Sequence, residues 1–115
     1  MSDVAATLER VSSIRGVRGA LLVSAPDGLV VADSLMEGVD GPAVAALAAS
    51  LVGRLLRTTR AAGMARPAII HLRAEHGSVL AVPAGSDVLM VAVTAADANL
   101  GLARLQLLEA ARELD

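Results

Sequence analysis

The spacing of apolar and polar residues divides the chain into segments that predict three helices and five strands. Helical segments carry apolar residues three and four positions apart, whereas strand segments are short and either alternate or stay apolar throughout. The predicted elements are helix 3–14, strands 17–25 and 29–34, helix 42–62, strands 67–75, 77–83 and 87–95, and helix 98–114. The order α-β-β-α-β-β-β-α predicts a fold of the α/β class (α+β type), in which helices cover both faces of a five-stranded, mostly antiparallel sheet.

The long second helix has an apolar arc that is wider than contact with a single sheet requires. Its members are Val44, Leu47, Ala48, Leu51, Val52, Leu55 and Leu56. They cover about half of the circumference, whereas a helix resting on one sheet needs a stripe of about 100°. We therefore expect one flank of the helix to pack on the sheet and the other to meet a second surface.

Two of the predicted strands differ in a way that predicts their places in the sheet. Strand 87–95 is apolar on both faces, which is typical of a central strand. Strand 67–75 begins with Pro67, which cannot donate a ladder hydrogen bond, and this favours an edge. Its apolar face is Ala68, Ile70, Leu72 and Ala74, and its mixed face is Ile69, His71, Arg73 and Glu75.

Turn and cap residues mark the boundaries between the segments. Pro26-Asp27-Gly28 separates the first two strands and predicts a hairpin. Asp40 or Gly41 is predicted to cap the long helix, and Asp97 the last helix. A tight turn at His76-Gly77 is predicted between the third and fourth strands.

Composition restricts the classes of function that the chain can have. The 115 residues suffice for one domain, 1–115, and 55% of them are hydrophobic although none is aromatic. The mean hydropathy of +0.62 is high, and such an excess of apolar surface often ends in an interface with another subunit or partner. A net charge of −2 without aromatic side chains gives neither the basic footprint nor the stacking groups of a nucleic-acid-binding protein.

The chain also lacks the signals of secretion and of membrane insertion. It has no cysteine, which excludes disulfides, thiolate metal ligands and a cysteine nucleophile. Its first residues do not show the basic region followed by an apolar region that is typical of a signal peptide. Its longest apolar window, 42–53, is shorter than the about 20 residues that a membrane span needs. We expect a cytoplasmic protein without a membrane span.

The sequence shows no arrangement of residues that is typical of a catalytic site. His71 and Glu75 point the same way from their strand, but a metal site needs three or four ligands. A solvated or interfacial edge face is therefore the favoured interpretation. Neither a nucleophile elbow nor a lysine-containing phosphate loop occurs. Asp27-Gly28 could hold a metal or a phosphate, but nothing else in the sequence converges on it, so a turn is favoured. We expect no catalytic residue, no metal site, no cofactor and no enzyme activity.

Three arginines on the long helix form the most interesting polar pattern. Arg54, Arg57 and Arg60 repeat at a spacing of three and drift around the face opposite the apolar arc. One interpretation is a solvated helix face. The other is a basic strip that meets an acidic surface of a partner.

Taken together, these segments resemble the roadblock/LC7 family, and within it the bacterial MglB-like regulators of small Ras-like GTPases. The resemblance is carried by GVRGALLVSAPDGLVVADS at 16–34, the long helix, the three-strand run and ANLGLARLQLLEAARELD at 98–115, and it covers about 4–114. It implies a roadblock/LC7 (profilin-like) fold with strand order 2-1-5-4-3. The long helix would lie on one face of the sheet and the terminal helices on the other.

The resemblance also implies a function. Such proteins are non-catalytic homodimeric adaptors that bind a small Ras-like GTPase and modulate its nucleotide cycle. The two protomers would pair through the third strand and the long helix, with the strip Arg54, Arg57 and Arg60 as a candidate partner contact. The candidate dimer interface is Leu47, Leu51, Leu55, Ile69, His71 and Arg73.

A small-molecule sensory domain of the PAS or GAF type is the alternative. It also wraps helices around an antiparallel sheet, but it would need a ligand pocket in the concavity of the sheet. The absence of aromatic and of convergent buried polar residues argues against it.

Overall fold

The computed structural model describes residues 3–114, and it contains the predicted three helices and five strands in the predicted order. The helices are α1 (Val4–Ser12), α2 (Gly41–Ala61) and α3 (Leu100–Glu113). The strands are β1 (Val17–Ser24), β2 (Val30–Leu35), β3 (Ile70–Ala74), β4 (Gly77–Ala84) and β5 (Val88–Ala95).

All five strands pair antiparallel in one sheet with the order β2-β1-β5-β4-β3. This is the order that the family resemblance implies. β5 is central, between β1 and β4, and most of its residues are buried because both of its faces are covered. β3 and β2 are the two edges, and the predicted edge position of β3 is confirmed.

The core consists of two layers of small and branched side chains on either side of the sheet. On one face, α1 and α3 pack Leu8, Val11, Ala103 and Leu107 onto strand residues such as Met90. On the other face, α2 packs Ala45, Ala48 and Val52 onto Leu21, Leu89 and Val91. Consecutive residues of the central strands therefore point alternately into one layer and the other.

The N-cap of α3 is not the predicted residue. The side chain of Asn99, and not that of Asp97, caps this helix by accepting a hydrogen bond from the Leu102 N–H at 3.1 Å. Residues 96–99 form the connecting turn, because the Ala98 N–H bonds to the Ala95 carbonyl and the Asn99 N–H to the Arg15 carbonyl. The prediction for α2 is confirmed, since Asp40 accepts from the Ala43 N–H at 3.1 Å.

The boundaries of β3 and β4 also differ from prediction. β3 begins at Ile70 and not at position 67, because its pairing with β4 starts only where Ile70 meets Ala81. At its other end Ala74 pairs with Gly77, so the turn consists of Glu75 and His76 and lies one residue earlier than predicted. The remaining predicted boundaries agree with the structure to within two residues, the end of α1 being two residues earlier than predicted.

The hydroxyl group of buried Thr94 allows a test of the packing between β5 and β4. This residue of β5 is 2% exposed, faces Ser78 of β4, and its Oγ1 has no hydrogen-bond partner within residues 3–114. An unpaired buried hydroxyl costs about 1–3 kcal/mol. Thr94→Val is therefore expected to raise the free energy of unfolding by about 1 kcal/mol, which thermal denaturation would register as a rise in Tm of a few degrees.

Thr7→Val is the matched control for this substitution. Thr7 is also buried, but its Oγ1 donates a hydrogen bond to the Glu113 Oε2 at 3.4 Å. The same change therefore removes an existing hydrogen bond. The control is expected to leave Tm unchanged or lower it. Equal shifts in the two variants would show that the Thr94 hydroxyl is satisfied after all.

Candidate interaction surfaces

Two flanks of α2 have different roles in the protomer. The flank on the sheet is built from small residues at spacings of four, three and four, namely Gly41, Ala45, Ala48 and Val52, all of them buried. The neighbouring flank carries the predicted interface residues Leu47, Leu51 and Leu55. Leu47 is 46% exposed, and the other two are half-buried. The helix thus has a second apolar flank without a full complement of neighbours, as its wide arc predicts.

An apolar groove continues from this flank across the sheet. Since α2 contacts β1 and β2 more extensively than β4 and β5, the sheet near β3 is left partly uncovered. The resulting groove has a volume of about 440 Å³, and its apolar lining includes Leu47, Leu72, Val79 and Val93. We call it the apolar groove. Leu72, Val79 and Val93 are not in the predicted interface set, although the alternation of strand 67–75 places Leu72 on its apolar face.

The sheet separates the predicted interface residues into two groups. Ile69 packs with the core layer of α1 and α3, and His71 is paired with Leu80 of that same layer. Arg73 shares their face, because it lies two residues beyond His71 on the same strand. Ile69, His71 and Arg73 therefore lie on the face opposite Leu47, Leu51 and Leu55, and His71 borders a small groove with Leu100 and Arg104.

The three arginines of α2 are all exposed, and they diverge. Arg57 borders a groove beside the β1–β2 turn, whereas Arg60 borders a second groove with Arg66 and Met64. Arg54 lines neither of them. Within residues 3–114, Arg10 pairs with Glu113 at 3.2 Å and the His76 Nε2 lies 3.9 Å from the Glu75 Oε1, so the arginines of α2 are all without an acidic partner.

The Asp27-Gly28 turn has the structural role that the sequence favours. Gly28 has a φ of +71°, which glycine adopts readily, and the Asp27 Oδ1 accepts a hydrogen bond from the Leu29 N–H at 3.2 Å. The turn nevertheless also lines the groove that Arg57 borders. This proximity could not be predicted from local pattern, because it depends on how α2 crosses the sheet.

The described residues contain neither a cluster of metal ligands nor a helix that could span a membrane. Residues 3–114 contain no group of three or more histidine, cysteine, aspartate or glutamate side chains that could hold a metal ion. Across that same part of the protein, helices long and apolar enough to cross a membrane are absent.

Comparison with known proteins identifies the class to which this fold belongs. The sequence model of the roadblock/LC7 domain family matches residues 3–94 of this chain. An uncharacterized protein of Methanocaldococcus jannaschii is 36% identical over 107 residues, which are 93% of this chain and 92% of that protein. The chain belongs to the roadblock/LC7 family. This membership favours the roadblock/LC7 architecture over the PAS or GAF alternative.

Solved structures agree with the family assignment. MglB of Myxococcus xanthus superimposes with a TM-score of 0.85 at 21% identity, covering 96% of this chain and 90% of that one. An MglB described as having a tetrameric arrangement superimposes with a TM-score of 0.85 at 26% identity, covering 96% and 84% of the two chains. The predicted fold, including the faces occupied by the long and the terminal helices, is confirmed.

Proposed function

We propose that this chain is a non-catalytic, cytoplasmic homodimeric adaptor that binds a small Ras-like GTPase and modulates its nucleotide cycle. The observation that carries the proposal is the continuous apolar surface formed by Leu47, Leu51, Leu55 and the apolar groove, next to the open edge of β3. A surface of this kind is typical of a site that another chain covers.

The homodimer places a second copy on that surface. Pairing of β3 with its counterpart across a two-fold axis would join the two sheets and satisfy the backbone groups of both open edges. The same axis would bring the α2 helices side by side, with Leu47, Leu51 and Leu55 between them. Ile69, His71 and Arg73 would then line the junction on the face of α1 and α3, so both groups of predicted interface residues would contribute.

The GTPase part of the proposal rests on the family. Roadblock/LC7 proteins of the MglB-like kind are regulators of small Ras-like GTPases, and the fold of MglB superimposes on nearly the whole of this chain. The tetrameric arrangement of one MglB supports assembly of several copies. Arg54, Arg57 and Arg60 are exposed and unpaired, which suits them for contact with an acidic partner surface.

Two measurements test the two parts of the proposal separately. Light scattering at several protein concentrations in the micromolar range is expected to give twice the protomer mass, and a monomer at every concentration would contradict the dimer. Calorimetric titration with a small Ras-like GTPase of the same organism is expected to show binding that differs between the GDP-bound and the GTP-analogue-bound state. Absence of binding in both states would contradict the GTPase assignment.

A further inference from the structure

The charges of this protein are strongly segregated along the sequence. From position 41 to position 74 there is no acidic residue, whereas that stretch holds half of the ten basic residues of the chain. These are Arg54, Arg57, Arg60, Arg66 and Arg73. Four of the five lie on the C-terminal half of α2 and on the connection that follows it. A protein with a net charge of −2 therefore presents a local positive surface at this place.

Two adjoining grooves cut into that surface. The first, of about 570 Å³, lies between α2 and the β1–β2 turn. It is bordered by the polar side chains of Asp27, Ser50, Arg57 and Ser86. The second, of about 290 Å³, lies at the end of α2 and includes Arg60 and Arg66. The two grooves share Ser86 as a lining residue and are therefore neighbours, and together we call them the arginine groove.

The arginines of this groove are available to a ligand. Arg57 and Arg60 are exposed and have no acidic partner within residues 3–114. Arg66 donates from its Nη2 to the Gly85 carbonyl at 2.6 Å, which holds the side chain in place but leaves its positive charge uncompensated. Asp27 is the acidic side chain of the lining, and its Oδ1 is already used by the turn.

Gly53 adds an independent sign that a chain approaches α2 closely here. A glycine inside a helix destabilises it by about 1 kcal/mol relative to alanine. The fold does not require it, because the φ is not positive and an added Cβ would meet only the Arg57 Nη1 at 3.5 Å, an ordinary contact. With Ala46 and Ala49 it forms a floor without bulky side chains.

We propose that the arginine groove binds an acidic segment of a partner polypeptide. The inference deepens the proposed function and rests on it only in identifying that partner with the GTPase. Positive charge along the groove is complementary to carboxylates, and exposed Met64 with half-buried Leu56 offers an apolar contact beside them. A nucleic acid is disfavoured as the occupant, because the chain has no aromatic side chain on which a base could stack.

The groove lies on the side of α2 away from the proposed dimer contact. At 100° per residue, Gly53 lies about 160° and Arg57 about 120° around the helix from the centre of the flank of Leu47, Leu51 and Leu55. The partner segment and the second copy of this chain would therefore occupy different sides of one helix. Substitutions in the groove can consequently be judged on a dimer that remains intact.

The test uses a fluorescein-labelled peptide of alternating glutamate and leucine residues, titrated with the full chain and followed by anisotropy. Arg57→Glu/Arg60→Glu is expected to weaken binding at least about tenfold, which corresponds to about 1.4 kcal/mol. Arg15→Glu/Arg104→Glu, which reverses two exposed arginines outside the groove and so changes the net charge equally, is the matched control and is expected to leave affinity within about twofold. Equal affinity of the groove variant and the wild type, or an equal loss in the control, would overturn the inference.

Gly53→Leu separates a ligand-binding role from a structural one. Leucine favours a helix over glycine, so Tm is expected to be maintained or raised, while the side chain fills the floor of the groove and weakens peptide binding. Undiminished binding by this variant would contradict the proposed path of the segment. Phosphatidylserine vesicles or duplex DNA that bind more tightly than the peptide through Arg57 and Arg60 would also overturn the choice of a polypeptide.

A parallel titration with the GTPase distinguishes the two proposals. If the GTPase binds the wild type and Arg57→Glu/Arg60→Glu equally well, the arginine groove is not its contact and the identification of the partner segment with the GTPase fails, while the proposed function stands. If the peptide binds through these arginines and the GTPase does not bind at all, the groove stands and the GTPase assignment fails.

Discussion

Leu47→Glu/Leu51→Glu is expected to convert the proposed dimer into a folded monomer. In the isolated protomer Leu47 is 46% exposed and Leu51 is half-buried, so two glutamates can reach water there. In the dimer they would be enclosed between the two α2 helices without a compensating charge, which costs several kcal/mol. A penalty of about 4 kcal/mol raises the dissociation constant about a thousandfold. Light scattering would report the mass, and circular dichroism would show that the helices persist.

Leu105→Glu/Leu102→Glu is the control for this experiment. Leu102 and Leu105 are 41% and 51% exposed on α3, and the double change adds the same charge on the other face of the sheet. The control is expected to remain dimeric. If it dissociates to the same degree, net charge rather than the α2 flank governs association. If the α2 variant retains the wild-type mass, the second copy does not sit on that flank.

The architecture could be predicted because local pattern and tertiary position agree in its main elements. The unbroken apolar run of β5 has a simple cause, since this strand lies between β1 and β4 with a helical layer on each face. The wide apolar arc of α2 likewise reflects two surfaces, the sheet under Ala48 and the partly uncovered flank at Leu51. In both elements a single physical requirement, the removal of apolar area from water, determines the pattern.

Boundaries and caps were less predictable because several residues compete for the same role. Asp97 and Asn99 both suit an N-cap, and the choice of Asn99 follows from the hydrogen bond between the Asn99 N–H and the Arg15 carbonyl, which fixes the preceding turn. That contact joins residues far apart in sequence. Local pattern contains no information about it.

In the candidate surfaces too, sequence spacing predicts some features, whereas others depend on tertiary packing. The spacing of Arg54, Arg57 and Arg60 predicts that the three drift around the helix, but not that two of them border adjoining grooves while Arg54 borders neither. Similarly, alternation separates the two faces of strand β3. Only the pairing of His71 with Leu80 places His71 on the side of α1 and α3.

Gly16→Ala is expected to cause a large loss of stability for so small a substitution outside the core layers. Gly16 has a φ of +86°, where a side chain costs about 1–2 kcal/mol, and a Cβ at this position would overlap the backbone of Ala98 and approach its Cβ to 2.6 Å. The Gly16 carbonyl also accepts a hydrogen bond from the Ala95 N–H at 2.7 Å, so the turn cannot move away without breaking it. We expect a loss of at least about 3 kcal/mol, or a fall in Tm of more than about 10 °C.

Gly63→Ala isolates the backbone part of this effect. Gly63 has a φ of +73°, close to that of Gly16, but nothing lies within 4 Å of an added Cβ, so only the conformational penalty of about 1 kcal/mol remains. The difference between the two variants measures how tightly the turn between α1 and β1 packs on the turn that precedes α3. Gly16→Ala/Ala98→Gly is expected to recover part of that difference, because it removes the clash between the two Cβ atoms. Equal losses in Gly16→Ala and Gly63→Ala would mean that the two turns are not in contact, and the placement of α3 on the sheet would then be wrong.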